Sequence, residues 1–480
     1  MIRHRSIYFT GILIILLACT SLNTMAQSKE QQKVDSVFQK VKKQFNAKQA
    51  DSLYALAGDE MKKVLIIEAF RNVCVNQLFP LGKIQQASLI SFQNNKIATY
   101  KLTFSLGNVL QLLISLDDAD KLQLFLFQPY KEPPGNKTVL AATSNPLKTD
   151  LDRKVDGPAR AYIQKTNTVG LAIGIIKDGN ISTYGYGETA KGNGKIPNAD
   201  NIFEIGSLTK TFTATVLAYY VNDGRLKLSD PITKFLPDSV AANPALDDIT
   251  LLMLSNHTSG LPRLPEDFFT HVRDAANPYK DYNISLLYSY LKHYKPTAKP
   301  GVQYAYSNLA VGLLGIILEH VSSESFEQMV SQMITQPLNM TNTAQHLSLF
   351  QKPRFVTVYN EDGSETPHWD WDALASAGAL NSSLNNLLLF AEANLAKPTT
   401  RLTKALTLTH QLTYNLPPKV GLAWHVITVD GVDYYFHDGG TGGSSTFFAF
   451  NIEKNIAVII LSNAVESTNA VGVDILKQIQ

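Results

Sequence analysis

Hydrophobic positions along the chain fall into two styles, and the change between them marks the first division. Over 31–45, Val34, Val37, Phe38, Val41 and Phe45 recur at three- and four-residue intervals among Lys, Gln and Asp, which predicts an amphipathic helix. A second helical stretch is expected from Asp51 to Leu78. After Gly82 the pattern turns to short β-rich runs: Leu89–Phe92, Ile97–Phe104, Val109–Leu116 and Leu122–Phe127. Asn94-Asn95, Gly107-Asn108 and Asp117-Asp118 punctuate them as tight turns. Helices followed by an antiparallel meander predict a small α+β domain over 27–130. Proline and glycine then cluster over 131–150, as in a linker.

From Leu151 onward the chain shows no second break. A helix is expected over Leu151–Lys165, then a hairpin of Gly170–Lys177 and Asn180–Gly187 turned at Asp178-Gly179. The far end mirrors it: Val420–Val429 and Val432–His437 joined by Asp430-Gly431, strands Ser445–Asn451 and Ile456–Leu461, and a final helix Asn469–Gln480. About 200 mostly helical residues lie between. The expectation is one domain over 151–480, an α/β (α+β) unit whose antiparallel sheet is assembled from both ends with a large helical insert. Its site is expected where insert meets sheet.

The N-terminus modifies this picture. Arg3 and Arg5 precede an apolar run from Ile7 to Ala18, the layout of a secretory signal peptide over 1–26. The run is short for a membrane span, which takes about 20 apolar residues. Two processing routes fit. Thr24-Met25-Ala26 precedes a cut at Gln27, which we favour. Leu16-Leu17-Ala18-Cys19 resembles a lipoprotein box that would leave a lipid anchor on Cys19, although Leu17 is bulkier than that pattern prefers. A periplasmic or secreted product is expected, with no transmembrane helix in the mature chain. Lys+Arg 43 against Asp+Glu 41 gives a net charge of +2, and both extra cations lie in the leader. Such a balance argues against a nucleic-acid partner. Two cysteines in 480 residues exclude a disulfide scaffold and a thiolate zinc site, and Cys74 is expected buried and inert.

Three short segments carry candidate chemistry. Ser207 and Lys210, three apart at the start of an apolar helix, share one helical face. A serine needs a base beside it, and a lysine whose pKa burial depresses can serve. Backbone N–H groups at a helix start can hold an oxyanion. Tyr306-Ser307-Asn308 precedes a second apolar helix. A tyrosine of depressed pKa could relay the serine proton, and an amide could bind a substrate carbonyl. Tyr220-Val221-Asn222 fits the same pattern but lies about four turns along the helix from Ser207, so it is set aside. His437-Asp438-Gly439-Gly440 stands at a strand end, where glycines admit a substrate backbone and an imidazole offers a hydrogen bond or a charge. The other nine histidines are read as structural, His257 among them as a loop scaffold residue.

Taken in order, Ser207–Lys210, Tyr306–Asn308 and His437–Gly439 resemble the S-x-x-K, Y-x-N and K-T-G or H-x-G elements of the serine β-lactamase and penicillin-binding hydrolases, in their class C β-lactamase, D-alanyl-D-alanine carboxypeptidase and esterase branch. Val169–Gly187, Asp223–Leu226 with Asp230-Pro231, Leu254–Pro262 and Ala377–Leu380 also look familiar. The resemblance implies a cofactor-free acyl-enzyme hydrolase. Ser207 would be the nucleophile, and Lys210 and Tyr306 would handle protons. Asn308 would bind the substrate amide, His437 would replace the motif lysine and Gly439 would match the motif glycine. The Ser207 and Gly440 N–H groups would form an oxyanion hole. The implied partner is a small amide, ester or peptide. The alternatives are a class C-type β-lactamase and a non-catalytic ligand-binding or sensor protein that keeps the fold. The small domain resembles cone-shaped cystatin-like or nuclear-transport-factor-like modules in element order.

Overall fold

A computed structural model describes residues 28–480 apart from 94, 95, 133 and 297. Arg3, Arg5, Cys19, the Ala26–Gln27 junction and the Asn94-Asn95 turn lie outside the described residues. The chain divides into two compact units, 1–133 and 134–480.

In the first unit, α1 (Lys29–Asn46) buries the expected Val34, Val37, Phe38, Val41 and Phe45. It packs with a meander of β1 (Ile84–Gln93), β2 (Ile97–Phe104), β3 (Val109–Leu116) and β4 (Leu122–Pro129), paired in sequence order and antiparallel. Phe38 stacks on Tyr100 with ring centroids 3.9 Å apart. The helix expected over Asp51–Leu78 is instead broken into Ala50–Tyr54, Asp59–Val64 and Ile67–Val73 with a π turn after it. The break has a cause. Leu122 N–H donates to Leu56 O and Gly58 N–H to Leu122 O, so the chain leaves the helix to pair with the start of β4. Cys74 is fully buried, and burial pushes its thiol up to about 11, which leaves it unreactive.

In the second unit, residues read from sequence as linker are held down. Ser144 N–H donates to Gly185 O, and Asn145 Nδ2 donates to Tyr186 Oη at 2.7 Å. After α2 (Asp150–Ile163) come β5 (Gly170–Lys177) and β6 (Asn180–Gly187). The far end supplies β7 (His425–Val429), β8 (Val432–Gly440), β9 (Ser445–Asn451), β10 (Ile456–Ser462) and α6 (Asn469–Ile479). The six strands run β7-β8-β9-β10-β5-β6, all antiparallel, so β10 and β5 join the two ends of the domain. The strand expected over Val420–Val429 begins only at His425, because Val420–Trp424 turns back to bridge His425 and Tyr414.

Period-two alternation explains why these strands read as continuous apolar runs. Leu171, Ile173, Ile175, Phe447, Val458 and Ile460 face α2 and α6. Ala172, Ile176, Phe448, Phe450, Ile459 and Leu461 face the helical insert. With both faces covered, neither parity can be polar. On the insert side, Gly174 lies so close to α5 that a Cβ there would stand 2.9 Å from Leu384 Cδ1. That helix, α5, spans Leu384–Leu395 in the chain after α3 (Thr209–Asn222) and α4 (Asn308–Ser322). Helices α3 and α4 are buried along most of their length. No single described helix is long and apolar enough to cross a membrane.

Phe448 is 1% exposed and packs edge-on against Trp424 and Phe390. Phe448→Ala should therefore cost about 3–5 kcal/mol. Phe269→Ala, at a side chain 71% exposed, should cost less than about 0.5 kcal/mol. Urea midpoints at unchanged m-value test both; equal effects would contradict the assigned core.

Candidate active site

Ser207 is positioned by two constraints on its chain. The short strand Ile202–Glu204 pairs antiparallel with Asn381–Ser383, and Ile205 N–H donates to Leu380 O. Gly206 then turns with φ +50°, and a single tight turn carries Ser207 into α3. A Cβ at Gly206 would meet Gly440 N at 2.7 Å, and one at Gly439 would meet Ile205 O at 2.2 Å and Ser207 N at 3.0 Å. The end of β8 therefore lies directly against the Ser207 turn, and only glycine fits at 206 and 439. The Ser207 and Gly440 backbones come together there, and the N–H of Ser207, at the start of the helical turn, has no intrahelical acceptor.

Lys210 lies one turn on. Its Nζ is 3.0 Å from Ser207 Oγ and donates to Ala377 O at 2.6 Å. The side chain is 1% exposed, and no described carboxylate stands within ion-pair distance. Burial, helped by the Arg263 charge, holds its pKa well below the usual ammonium value. The amine is 4.9 Å from the centre of the Tyr306 ring. Ser207 itself is partly accessible.

Tyr306 departs from expectation. Its hydroxyl is pushed up rather than down, because burial outweighs the Ser207 hydrogen bond and the Arg263 charge. Next to it, Ser307 caps α4 by accepting from Ala310 N–H and donates to Pro262 O at 2.6 Å. Asn308 Nδ2 donates to Tyr279 Oη at 3.1 Å, and its Oδ1 is buried with no partner. Tyr279 stacks on Trp371 at 3.9 Å and lies 5.1 Å from the Trp369 ring, so these aromatics form one wall behind Asn308. Phe268 is core and Phe269 faces solvent. Tyr220 is buried with Arg225 over its ring, apart from this cluster.

His437 faces the insert from β8, on the same parity as Gly439. Asp438 points to the opposite face, where its carboxylate accepts from Asn469 Nδ2. Of the hydrogen bond or charge expected of His437, the charge is absent at neutral pH. The side chain is 1% exposed, and burial with His425 and Lys210 nearby holds its pKa well below the usual imidazole value. Nδ1–H donates to Asp438 O at 2.6 Å, which leaves Nε2 as a bare acceptor without a partner.

His257, read as a loop scaffold residue, is fully buried beside the site. Left-handed at φ +62°, it accepts Ser307 N–H on Nδ1 at 3.2 Å and lays its ring 4.4 Å from that of Tyr306. Sequence reasoning also missed His425, Tyr304 and Arg263. The rings of His425 and His437 lie 5.3 Å apart, and Tyr304 Oη bonds His425 Nε2 at 2.7 Å. Arg263 sits with its guanidinium 5.1 Å from the Tyr306 ring centre. Tyr304 was findable, two residues before Tyr306 in an extended run. His425 and Arg263 reach the cluster through strand pairing and a loop, which carry no local signal. Among the described residues no group of His, Cys, Asp and Glu could hold a metal ion. The arrangement supplies a partly open hydroxyl, a buried amine of lowered pKa against it, a protonated phenol and converging backbone N–H groups.

A family model described as Beta-lactamase matches residues 155–478. The chain is 28% identical over 349 residues to a beta-lactamase of Pseudomonas fluorescens, covering 66% of this chain and 94% of the relative. It is 29% identical over 325 residues to the D-alanyl-D-alanine-carboxypeptidase/endopeptidase AmpH of Escherichia coli (strain K12), covering 64% and 82%. The structure resembles a beta-lactamase/D-alanine carboxypeptidase from Pseudomonas syringae with TM-score 0.61 and 25% identity, over 69% of this chain and 98% of the other. A class C beta-lactamase shares the fold with TM-score 0.62 at 24% identity, over 70% and 98%.

Buried neutral histidines give stability a pH dependence. Burial lowers His410 to about 3 and His425 to about 4. Between those values and about 6.5 the unfolded chain binds protons that the folded chain does not. Stability should thus be full above pH 6.5 and fall as pH drops towards 4, by up to about 1.4 kcal/mol per pH unit for each histidine. Urea midpoints from pH 7.5 to 4.5 test this, and His410→Gln should flatten the slope; a flat wild-type profile would contradict it.

Proposed function

The chain belongs to the beta-lactamase family, and on that premise we propose that it is a serine hydrolase that cleaves small amides or esters through an acyl-enzyme at Ser207. The observation that carries this reading is the 3.0 Å contact between Ser207 Oγ and a Lys210 amine buried without a carboxylate. A neutral amine has a lone pair to take the serine proton as Oγ attacks the substrate carbonyl. Its donation to Ala377 O leaves that lone pair free to point at Ser207. The new oxyanion would be held by the Ser207 and Gly440 N–H groups, whose close approach Gly206 and Gly439 allow. Tyr306, protonated at rest, would pass a proton to the leaving group and recover it by way of Lys210. Asn308 Oδ1, buried and unpartnered, would accept a substrate N–H, and the His437 Nε2 acceptor would take a donor from Tyr306 or the substrate. No metal or cofactor enters this scheme.

Peptidase or esterase chemistry on D-amino-acid-type substrates ranks above efficient β-lactam turnover, because a buried neutral imidazole stands at the motif position of a lysine cation. The names of relatives keep the β-lactamase reading as the second one. The intact Ser207–Lys210 contact weighs against a purely ligand-binding protein. The basic leader supports export to the periplasm or beyond, and the 27–130 unit is proposed as an accessory module.

A fluorophosphonate should label wild-type protein at Ser207, and Ser207→Ala should abolish the adduct. Lys210→Met should slow labelling about 10²–10⁴-fold, the range for loss of a positioned base. Gly439→Ala should slow it strongly while the fold persists, since its Cβ would collide with Ile205 O. Intact-mass kinetics read all three. Labelling that persists in Ser207→Ala would refute the reading.

A further inference from the structure

We propose that Arg263 is the substrate-recognition residue for a carboxylate near the scissile group, supplying from the loop before α4 the cation that β8 lacks. This rests on the serine-hydrolase reading and narrows its substrate class. Two basic side chains lie near the Tyr306 ring, Lys210 at 4.9 Å and Arg263 at 5.1 Å from its centre. Lys210 is buried, with Ala377 O and Ser207 Oγ as its polar neighbours. Arg263 is exposed, and no carboxylate among the described residues lies within ion-pair distance of it. Along its own loop the acids are Glu266, which forms no ion pair with it, and Asp267, which is engaged by the Tyr282 hydroxyl at 3.0 Å and by His271.

The loop is fixed rather than trailing. Arg263 O accepts both Asn308 N–H and Leu309 N–H at the start of α4, and the neighbouring Pro262 O accepts the Ser307 hydroxyl. The backbone of Arg263 is thereby tied to the segment that carries Tyr306 and Asn308. Its place 5.1 Å from the Tyr306 ring centre engages no hydrogen-bond acceptor, so its N–H donors stay available. Those donors form a planar fork that matches a carboxylate. His437 cannot compete for an anion, since its Nδ1–H is spent on Asp438 O and its Nε2 is an acceptor. A carboxylate would repel that lone pair and be drawn to the Arg263 side of Tyr306.

The test is protection of Ser207 from fluorophosphonate by N-acetyl-D-alanyl-D-alanine or by its C-terminal amide, which differ only in the charge. In wild-type protein the acid should protect at about tenfold lower concentration than the amide, the scale of one solvent-facing charge-assisted contact. Arg263→Gln should remove that advantage and Arg263→Lys should keep part of it. The advantage should shrink as salt rises from about 0.05 to 0.5 M, which a merely structural role would not produce. Equal protection by acid and amide in wild type, an advantage that survives Arg263→Gln, or no protection by the acid would each overturn the proposal. Failure of fluorophosphonate to label wild-type Ser207 would instead overturn the underlying serine-hydrolase reading, so the two failures are distinct.

Discussion

The constraint on which the rest of the site depends is the burial of a single amine. Lys210 is 1% exposed, with a hydroxyl and a carbonyl as its polar partners and no carboxylate. An ammonium in that place would lose its hydration with no counter-charge, so its proton is held far less tightly than on an exposed lysine. Everything packed around it serves that dryness: the core helices α3 and α4, the Ala377–Leu380 segment and the Tyr306 ring. A lysine on the same helix but facing water would hold its proton at the ordinary ammonium value.

The second requirement is geometric, and it ties the two ends of the domain together. Ser207 lies near the start of the insert and Gly440 near the end of the chain, yet a missing Cβ at 206 and 439 lets their backbones touch. The sheet makes this possible because β10 pairs with β5 and so places β8 beside the turn that follows Ile205. The site is thus a product of strand order. Small local changes at Gly439 act on Ser207 through a contact between residues more than 230 positions apart.

The electrostatics of the pocket follow from the same burial. Three histidines, 257, 425 and 437, surround Tyr304 and Tyr306 and are all held neutral by desolvation. They act as hydrogen-bonding walls, His257 accepting on Nδ1 and His437 donating from Nδ1. The Tyr306 hydroxyl keeps its proton for the same reason. Permanent positive charge is confined to the rim, at Arg263, where water can solvate it.

Much of this was legible in the sequence wherever the determinant was local. The hairpin at Asp178-Gly179, the amphipathic α1, the paired spacing of Ser207 with Lys210 and of His437 with Gly439 all follow from periods of 3.6 and 2. The antiparallel sheet of the large domain, sewn from both of its ends, was also readable, because turn residues and hydrophobic runs announce it. Tertiary structure alone decided three things. It broke the Asp51–Leu78 helix, because pairing with the start of β4 outweighed helical continuity. It set the charge states of Lys210, Tyr306 and His437, because desolvation depends on what other segments cover a side chain. And it brought Arg263 and His257 to the Tyr306 ring and His425 to Tyr304 and His437, because strand register and loop anchoring place residues that no spacing rule connects.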